Sequence, residues 1–356
     1  MKKKKVFIGL SGGVDSSVAA TLLKEAGYDV TGVFIKVYEP PQEKFQKVCT
    51  WRDDRRDAMR VASQLKIPFK TIDLGEEYKK GVVDYMINEY KKGRTPNPDV
   101  MCNKIVKFGA FYDWAIKSGA DFVATGHYAQ VVKNGSIFTL KKGIDENKDQ
   151  TYFLWNIKKE QLSKILFPIG SYEKTKTREI AETNKLATAE KKDSQGLCFI
   201  GKLNVKDFLK EFIAEKEGPV LNEKGEVIGH HEGVFFYTLG ERRGFVIDKK
   251  TSSDKPYFII AKDLKNNTLT VSSNPRQKNK AKNTIVLEDT NWLIKPAINK
   301  NYTCQYRYRG KYLDCKLENN DDKWTIILSK AESDIAPGQS IVVYDGDTCL
   351  GGGVIK

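Results

Sequence analysis

One stretch near the start of the chain constrains the fold more than any other: Lys5 to Leu23 reads KVFIGLSGGVDSSVAATLL. Val6–Leu10 has the length and character of a buried strand. Ser11-Gly12-Gly13-Val14-Asp15-Ser16-Ser17 then breaks it, and a small-residue, apolar run with helical character follows. A strand that enters a tight turn and leaves as a helix aims backbone N–H groups and the positive helix end at one point, where an anion is stabilised. Gly12 and Gly13 permit positive φ and close backbone approach, and Ser11, Ser16 and Ser17 add hydroxyl donors. Asp15 would repel a bare phosphate and makes sense where Mg²⁺ lies between carboxylate and phosphates. The Gly-Lys-Ser/Thr ending of a Walker A loop is absent.

Strand-like runs at Val6–Leu10, Val30–Val37, Phe69–Leu74 and Phe122–Thr125 alternate with helical patterns over 15–26, 53–65, 77–91 and 105–118. This alternation predicts an α/β fold with a doubly wound parallel sheet. Ligands on such sheets bind at the carboxyl ends of strands, where the Ser11 loop, Ile35 and Gly126-His127 all map. Ala129–Val132 and Ser136–Leu140 around Asn134-Gly135 predict a hairpin, and helical patterns resume at about 158–165 and 174–186. A boundary falls near 205–215. The expected division is a nucleotide-handling domain over 1–206, a small mixed domain over 207–280 and short strands of a C-terminal β-barrel or sandwich over 281–356.

Lys plus Arg total 60 against 46 Asp plus Glu, a net charge of +14 that favours a polyanionic partner, nucleic acid first, although a solvated basic surface gives the same number. No apolar run reaches membrane-spanning length, and Lys2–Lys5 has no apolar segment of a signal peptide behind it, so the expectation is a cytoplasmic protein without a membrane partner. Its six cysteines form no Cys-x-x-Cys pair and there are only three histidines, which argues against a structural metal site.

Two of the cysteines stand in loops. In GRTPNPDVMCNKIVKFG (93–109), Pro96 and Pro98 stiffen the chain, Asn97 and Asp99 offer polar tips, and Cys102 precedes a helical pattern that begins near Asn103. A helix start with Lys104 and Lys107 close by would lower a thiol pKa; a buried structural cysteine is the alternative. Cys198, in KKDSQGLCFIG (191–201), follows a polar turn and reads equally as a strand residue. The charged, then aromatic DENKDQTYFLW (145–155) is a second loop that an ordinary core entry would also explain.

These strings occur together in one known family. The chain resembles the MnmA family of tRNA-specific 2-thiouridylases, bacterial wobble-uridine thiolases whose glycine-rich loop resembles that of enzymes splitting ATP between its α and β phosphates. The resemblance spans essentially all 356 residues. It rests on Gly9-Leu10-Ser11-Gly12-Gly13-Val14-Asp15-Ser16, Gly93–Asp99, Cys102-Asn103-Lys104, Ala124–Tyr128, Lys148-Asp149-Gln150, Asp193–Gly201, Arg307–Arg309, Pro337–Gln339 and Gly351–Gly353. A departure is Glu241, where the family usually has glutamine; Ile35 stands where many members have methionine, a volume-conserving swap.

The resemblance implies an ATP- and Mg²⁺-dependent sulfurtransferase. Gly9 to Ser16, with Ile35 and Gly126, would bind the nucleotide, and the tRNA uridine would be flipped out to meet Asn97, Pro98 and Asp99. Cys198 would carry a persulfide delivered by a cysteine desulfurase or sulfur-relay protein. Cys102 would attack that persulfide or share the transfer and pair with Cys198 in a disulfide, with Asp99 as acid or base or orienting the base. His127, Lys148, Asp149, Gln150, Arg307, Tyr308 and Gln339 match tRNA-contact positions. Two other readings keep part of the pattern: an adenylating enzyme that ligates ammonia or an amino acid without either cysteine, and an RNA-binding protein that consumes no ATP. An iron–sulfur cluster on Cys102, Cys198 and Asp99 is a further alternative to the disulfide route.

Overall fold

The computed structural model describes residues 2–40, 42, 51–193, 205–248, 255–274, 282–321, 323–332 and 335–356, so Cys49 and Cys198 lie outside the described residues. The first region is built on β1 (Lys5–Gly9), β2 (Asp29–Lys36), β3 (Phe69–Asp73) and β4 (Phe122–Ala124). After a hairpin of β5 (Ala129–Asn134) and β6 (Ile137–Lys142), the two-residue β7 (Ile165–Leu166) completes the sheet. Strand order is β3-β2-β1-β4-β7, all parallel. β7 is too short to leave a pattern in the sequence. The order reverses between β1 and β4, and ligands of such sheets bind outside the carboxyl ends at that point.

Side chains alternate across this sheet. Phe7, Val33 and Val123 enter one core with Tyr78, Val82, Met86, Val106 and Phe111. Val6, Ile8, Val30 and Phe34 enter the opposite one, with Val14 and Val18 of α1 (Val14–Glu25) and Ala58 and Val61 of α2 (Trp51–Gln64). Because helices cover both faces, the central strands β1 and β4 carry apolar residues on both sides, whereas the edge strand β3 exposes Lys70, Thr71 and Asp73.

One helix begins earlier than its apolar pattern. A helical turn, Pro98–Met101, continues as a π-helical stretch, Cys102–Phe111, and ends as Tyr112–Lys117. Asn97 Oδ1 accepts the Val100 N–H at 3.2 Å, and Pro98 occupies the first helical position. The proline that looks like a loop stiffener is a helix start.

The middle region contains β8 (Gly218–Leu221), β9 (Val227–His231), β10 (Val246–Ile247), β11 (Phe258–Asp263) and β12 (Thr268–Ser272), in the order β10-β9-β8-β12-β11. Its Phe208, Val220, Val234 and Ile259 share a core with Val82, Cys102 and Phe111 of the first region.

The last region is a barrel of β13 (Lys282–Trp292), β14 (Tyr302–Gln305), β15 (Leu313–Asn320), β16 (Lys323–Glu332), β17 (Ser340–Asp345) and β18 (Thr348–Ile355). It closes because β13 pairs with both β16 and β18, which settles barrel over sandwich. β18 escapes a propensity reading because it carries Gly351–Gly353. In the barrel wall those glycines are required: a Cβ on Gly351 would lie 2.1 Å from the Asn291 carbonyl oxygen, and one on Gly352 2.2 Å from that of Ile341. β6 pairs with β18 (Thr348 with Lys141, Cys349 with Leu140), so the hairpin of the first region extends the barrel wall.

Candidate active site

The loop after β1 is knitted by its own hydroxyls. Ser16 Oγ accepts the Ser11 N–H at 3.2 Å, lies 3.1 Å from Ser11 Oγ and donates to the Gly13 carbonyl at 3.2 Å. Ser17 Oγ donates to the same carbonyl at 2.7 Å. Gly12 has φ +74°, and a Cβ there would strike the Asp54 carbonyl oxygen at 2.1 Å. Gly126, after β4, faces the start of α1 so closely that a Cβ would lie 2.7 Å from Ser16 N. No side chain caps α1, which begins at Val14 behind Gly13. Its first-turn N–H groups, open helix end and flanking hydroxyls suit a phosphate. Ile35 and Gly9 flank the same strand ends, with Ile35 Cδ1 3.9 Å from the position a Gly9 Cβ would take.

Asp15 is engaged by residues from two other segments. Tyr128 donates its hydroxyl to Asp15 Oδ1 at 2.9 Å, and Lys174 Nζ donates to the same oxygen at 2.7 Å. Burial first, then the Asp15 charge, push the Tyr128 phenol far above its ordinary range, so it is a donor at neutral pH. Lys174 also meets Asp193 Oδ1 at 2.9 Å, and Asp193 receives Arg178 on Oδ1 and Lys148 on Oδ2, each at 2.7 Å. Burial raises the Asp193 carboxyl, but the bonds from Lys148 and Lys174 outweigh it and hold the group at about 2.

Asp99 lies half-buried in the first turn of its helix, and Cys102 is buried one turn further. The sequence expectation places Cys102 just before a helix start near Asn103; the helix in fact begins at Pro98, five residues earlier, so Cys102 lies inside it. Burial pushes the Asp99 carboxyl up, and the Lys107 charge offsets only part of that. Phe111, at the end of the π-helical stretch, abuts the end of β1: its ring lies 3.8 Å from the position of a Gly9 Cβ. Phe108 packs against His127, with ring centroids 6.0 Å apart. His127 is buried, with Nδ1 2.7 Å from Thr125 Oγ1; burial, then the Lys107 charge, hold its imidazole well below its ordinary value and neutral at pH 7.

The other sequence-predicted positions occupy the surrounding loops. Asp149 is buried and accepts from Gly143 N, Thr151 N and Thr151 Oγ1 at 3.0, 3.3 and 2.7 Å. Gln150 Oε1 accepts the Tyr128 N–H at 2.9 Å, tying this loop to the residue that holds Asp15. Gln339 donates to the Thr95 carbonyl at 3.1 Å and braces the approach to Asn97. Tyr308 packs its ring at a tilt against Phe153, centroids 4.5 Å apart, and Phe153 offers its carbonyl to Asn103 Nδ2 at 3.0 Å. Arg307 is exposed, its guanidinium over the Tyr306 ring at 5.4 Å. Glu241 accepts the Thr238 N–H at 3.0 Å beside Lys262, whose ammonium burial depresses to about 8 and which donates to the Gly93 carbonyl at 3.1 Å. Tyr128 appeared in the sequence only within a motif string, and Lys174 and Arg178 had no signal: nothing in their helix marks them as partners of residues so far away. Among the described residues no cluster of three or more His, Cys, Asp or Glu could hold a metal, and no helix is long and apolar enough to cross a membrane.

Residues 4–202 match the tRNA methyl transferase HUP domain, 206–273 the tRNA methyl transferase PRC-barrel domain and 282–355 the aminomethyltransferase beta-barrel domain. The chain is 45% identical over 354 residues to the tRNA-specific 2-thiouridylase MnmA of Listeria innocua, covering 99% of this chain and 94% of that protein. It is 44% identical over 361 residues to the protein of the same name from Francisella philomiragia, covering 100% of both. Among solved structures, NMN synthetase from Francisella tularensis aligns over 58% of this chain and 72% of its own at 16% identity, with a TM-score of 0.35.

Proposed function

The chain belongs to the tRNA-specific 2-thiouridylase family, and we propose from that premise that it replaces O2 of the tRNA wobble uridine by sulfur, with ATP as activator and a cysteine persulfide as sulfur source. The observation that supports this reading is an uncapped glycine-rich helix start at the end of β1, against which packs Phe111 of the helix whose opening turns bear Asp99 and Cys102.

The carbonyl oxygen of a uracil is a poor leaving group. Attack of O2 on the α-phosphorus of ATP expels pyrophosphate and leaves O2 esterified, ready to depart as part of AMP. Ser11, Ser16 and the N–H groups at the start of α1 would hold the β and γ phosphates, and Ile35 and Gly126 would line the adenine. Asp15 would hold Mg²⁺, which would offset phosphate charge. Asp99, with its raised pKa, is suited to hold or release a proton near the base.

The outer sulfur of a Cys198 persulfide then attacks C2, and AMP leaves with O2. Attack by the Cys102 thiolate on the inner sulfur breaks the persulfide bond, leaves sulfur on the base and forms a Cys102–Cys198 disulfide. An external thiol must reduce that disulfide before the next turnover. A cysteine desulfurase or sulfur-relay protein would reload Cys198. Arg307 and Tyr308 would offer a charge and a ring to the RNA, and Lys148, Gln150 and Gln339 would contact it nearby. Buried His127 and Asp149 would act through the loops they shape.

Single-turnover assays with tRNA, ATP and a persulfide donor test the reading. Cys102→Ser and Cys198→Ser should each lose thiolated tRNA, the Cys198 variant should still release pyrophosphate, and mass spectrometry should find the persulfide on Cys198 alone. Full thiolation by either variant defeats the cysteine roles. AMP formation without tRNA favours a ligating enzyme, and tRNA binding without ATP consumption an RNA-binding protein.

A further inference from the structure

We propose that Lys174 is a phosphate-binding residue of this site, held by Asp15 until a nucleotide arrives and then passed to its β and γ phosphates. The proposal rests on the ATP reading and names a residue that reading does not include.

Three cations, Lys148, Lys174 and Arg178, converge on Asp15 and Asp193 beside the phosphate-type loop, with Asp145 as a third carboxylate at the Lys174 backbone. Lys174 is the member that can leave. Asp193 keeps Lys148 and Arg178, each at 2.7 Å, and Asp15 keeps the Tyr128 hydroxyl at 2.9 Å, so its departure strands neither carboxylate. Its backbone is fixed, because Lys174 N donates to Asp145 Oδ2 at 3.0 Å, while its four-carbon stem lets the ammonium move.

Position supports the same assignment. Lys174 is the first residue of helix Lys174–Thr183, where a cation opposes the helix dipole, and that helix has no acidic residue in its first turn. The side chain is 12% exposed and points to Asp15, in the first turn of α1, rather than to water. Phosphates arriving at the loop would bring negative charge within reach of the ammonium, and were Asp15 to hold Mg²⁺ its bond to Lys174 would weaken. Exchange of one carboxylate for a phosphate keeps the ammonium paired throughout.

Calorimetric titration of wild type, Lys174→Gln and Lys174→Arg with pyrophosphate alone, ATP–Mg²⁺ and AMP tests the assignment. Lys174→Gln should weaken pyrophosphate and ATP by about tenfold to a hundredfold, the range of a lost charge-assisted bond, and leave AMP affinity unchanged. Lys174→Arg should recover most of the loss. If the glutamine variant fails to fold, Lys174→Met, of similar length, replaces it with the same expectation. Equal binding of pyrophosphate by wild type and the neutral variant overturns the Lys174 assignment alone, as does a parallel loss of AMP affinity, which marks general collapse of the loop. Wild type that binds neither ATP nor pyrophosphate overturns the nucleotide reading and this proposal with it.

Discussion

Gln339, in the turn before barrel strand β17, donates its side-chain amide to the carbonyl of Thr95 at 3.1 Å, so the C-terminal barrel sets the approach to the helix that bears Asp99 and Cys102. The bond is reinforced from both sides: Thr95 N donates to the Pro337 carbonyl at 2.9 Å, and Gly338, at φ +91°, leaves no space for a Cβ beside Thr95. Gln339→Ala should therefore slow thiolation at saturating tRNA by roughly fivefold, the equivalent of one net hydrogen bond of about 1 kcal/mol. ATP affinity should stay constant. A rise in the tRNA dissociation constant with no change in rate would instead place Gln339 on the RNA.

Gly126 and Gly13 make a matched pair. An alanine at 126 puts its Cβ 2.7 Å from backbone nitrogen Ser16 N, which cannot move without shifting the start of α1. Gly126→Ala should cost about 1–3 kcal/mol and reduce pyrophosphate release at least tenfold, in line with overpacking against backbone. At Gly13 the nearest atom is Ser11 Oγ at 3.4 Å, so Gly13→Ala should leave stability nearly unchanged. Denaturant midpoints of the two variants decide the point, and equal losses would refute it.

The Asp193 cluster predicts a pH dependence. Its folded carboxyl, at about 2, is below the ordinary 3.8, so the unfolded chain binds the proton first as pH falls. The stabilisation is complete above about pH 4 and disappears as pH falls through 2. The shift alone corresponds to about 2 kcal/mol, and screening at a partly exposed site brings the expected effect to about 1 kcal/mol. Unfolding curves between pH 2 and 5 should show that slope in wild type and a shallower one in Asp193→Asn.

Arg307 carries the prediction about charge. It is exposed, packed on Tyr306, and no carboxylate is paired with it among the ion pairs of the described residues. Arg307→Ala should flatten the plot of log tRNA affinity against log salt by roughly 0.7–0.9, one contact's worth. An unchanged slope and affinity would remove Arg307 from the interface.

Much of this architecture is readable from local pattern. Val6–Leu10 running into Gly12-Gly13 marks strand, turn and helix because an apolar run must be buried and a glycine turn must bend, whatever lies elsewhere. Asn97-Pro98 carries a local signal of its own, cap and first helical residue, which the sequence reading takes instead for a stiffened loop. β18 was hidden for the opposite reason: glycine lowers strand propensity, and only closure of the barrel makes a strand without side chains the one that fits. Asp99 could be named from its motif, but its raised pKa depends on neighbours that the motif does not specify.

By itself the sequence determined the parallel sheet, the phosphate-type turn at its edge and the family to which the chain belongs, because backbone geometry and apolar periodicity are set by residues a few positions apart. Tertiary structure alone decided that Lys174 reaches Asp15 across 159 positions, and that Gln339 reaches Thr95 across 244. The strand order that brings β1 beside β4, and the barrel wall that takes in β5 and β6, place those groups within bonding distance. Such pairings arise from how separately formed elements pack, and a charged or amide side chain leaves no trace in local sequence of the distant partner it will meet.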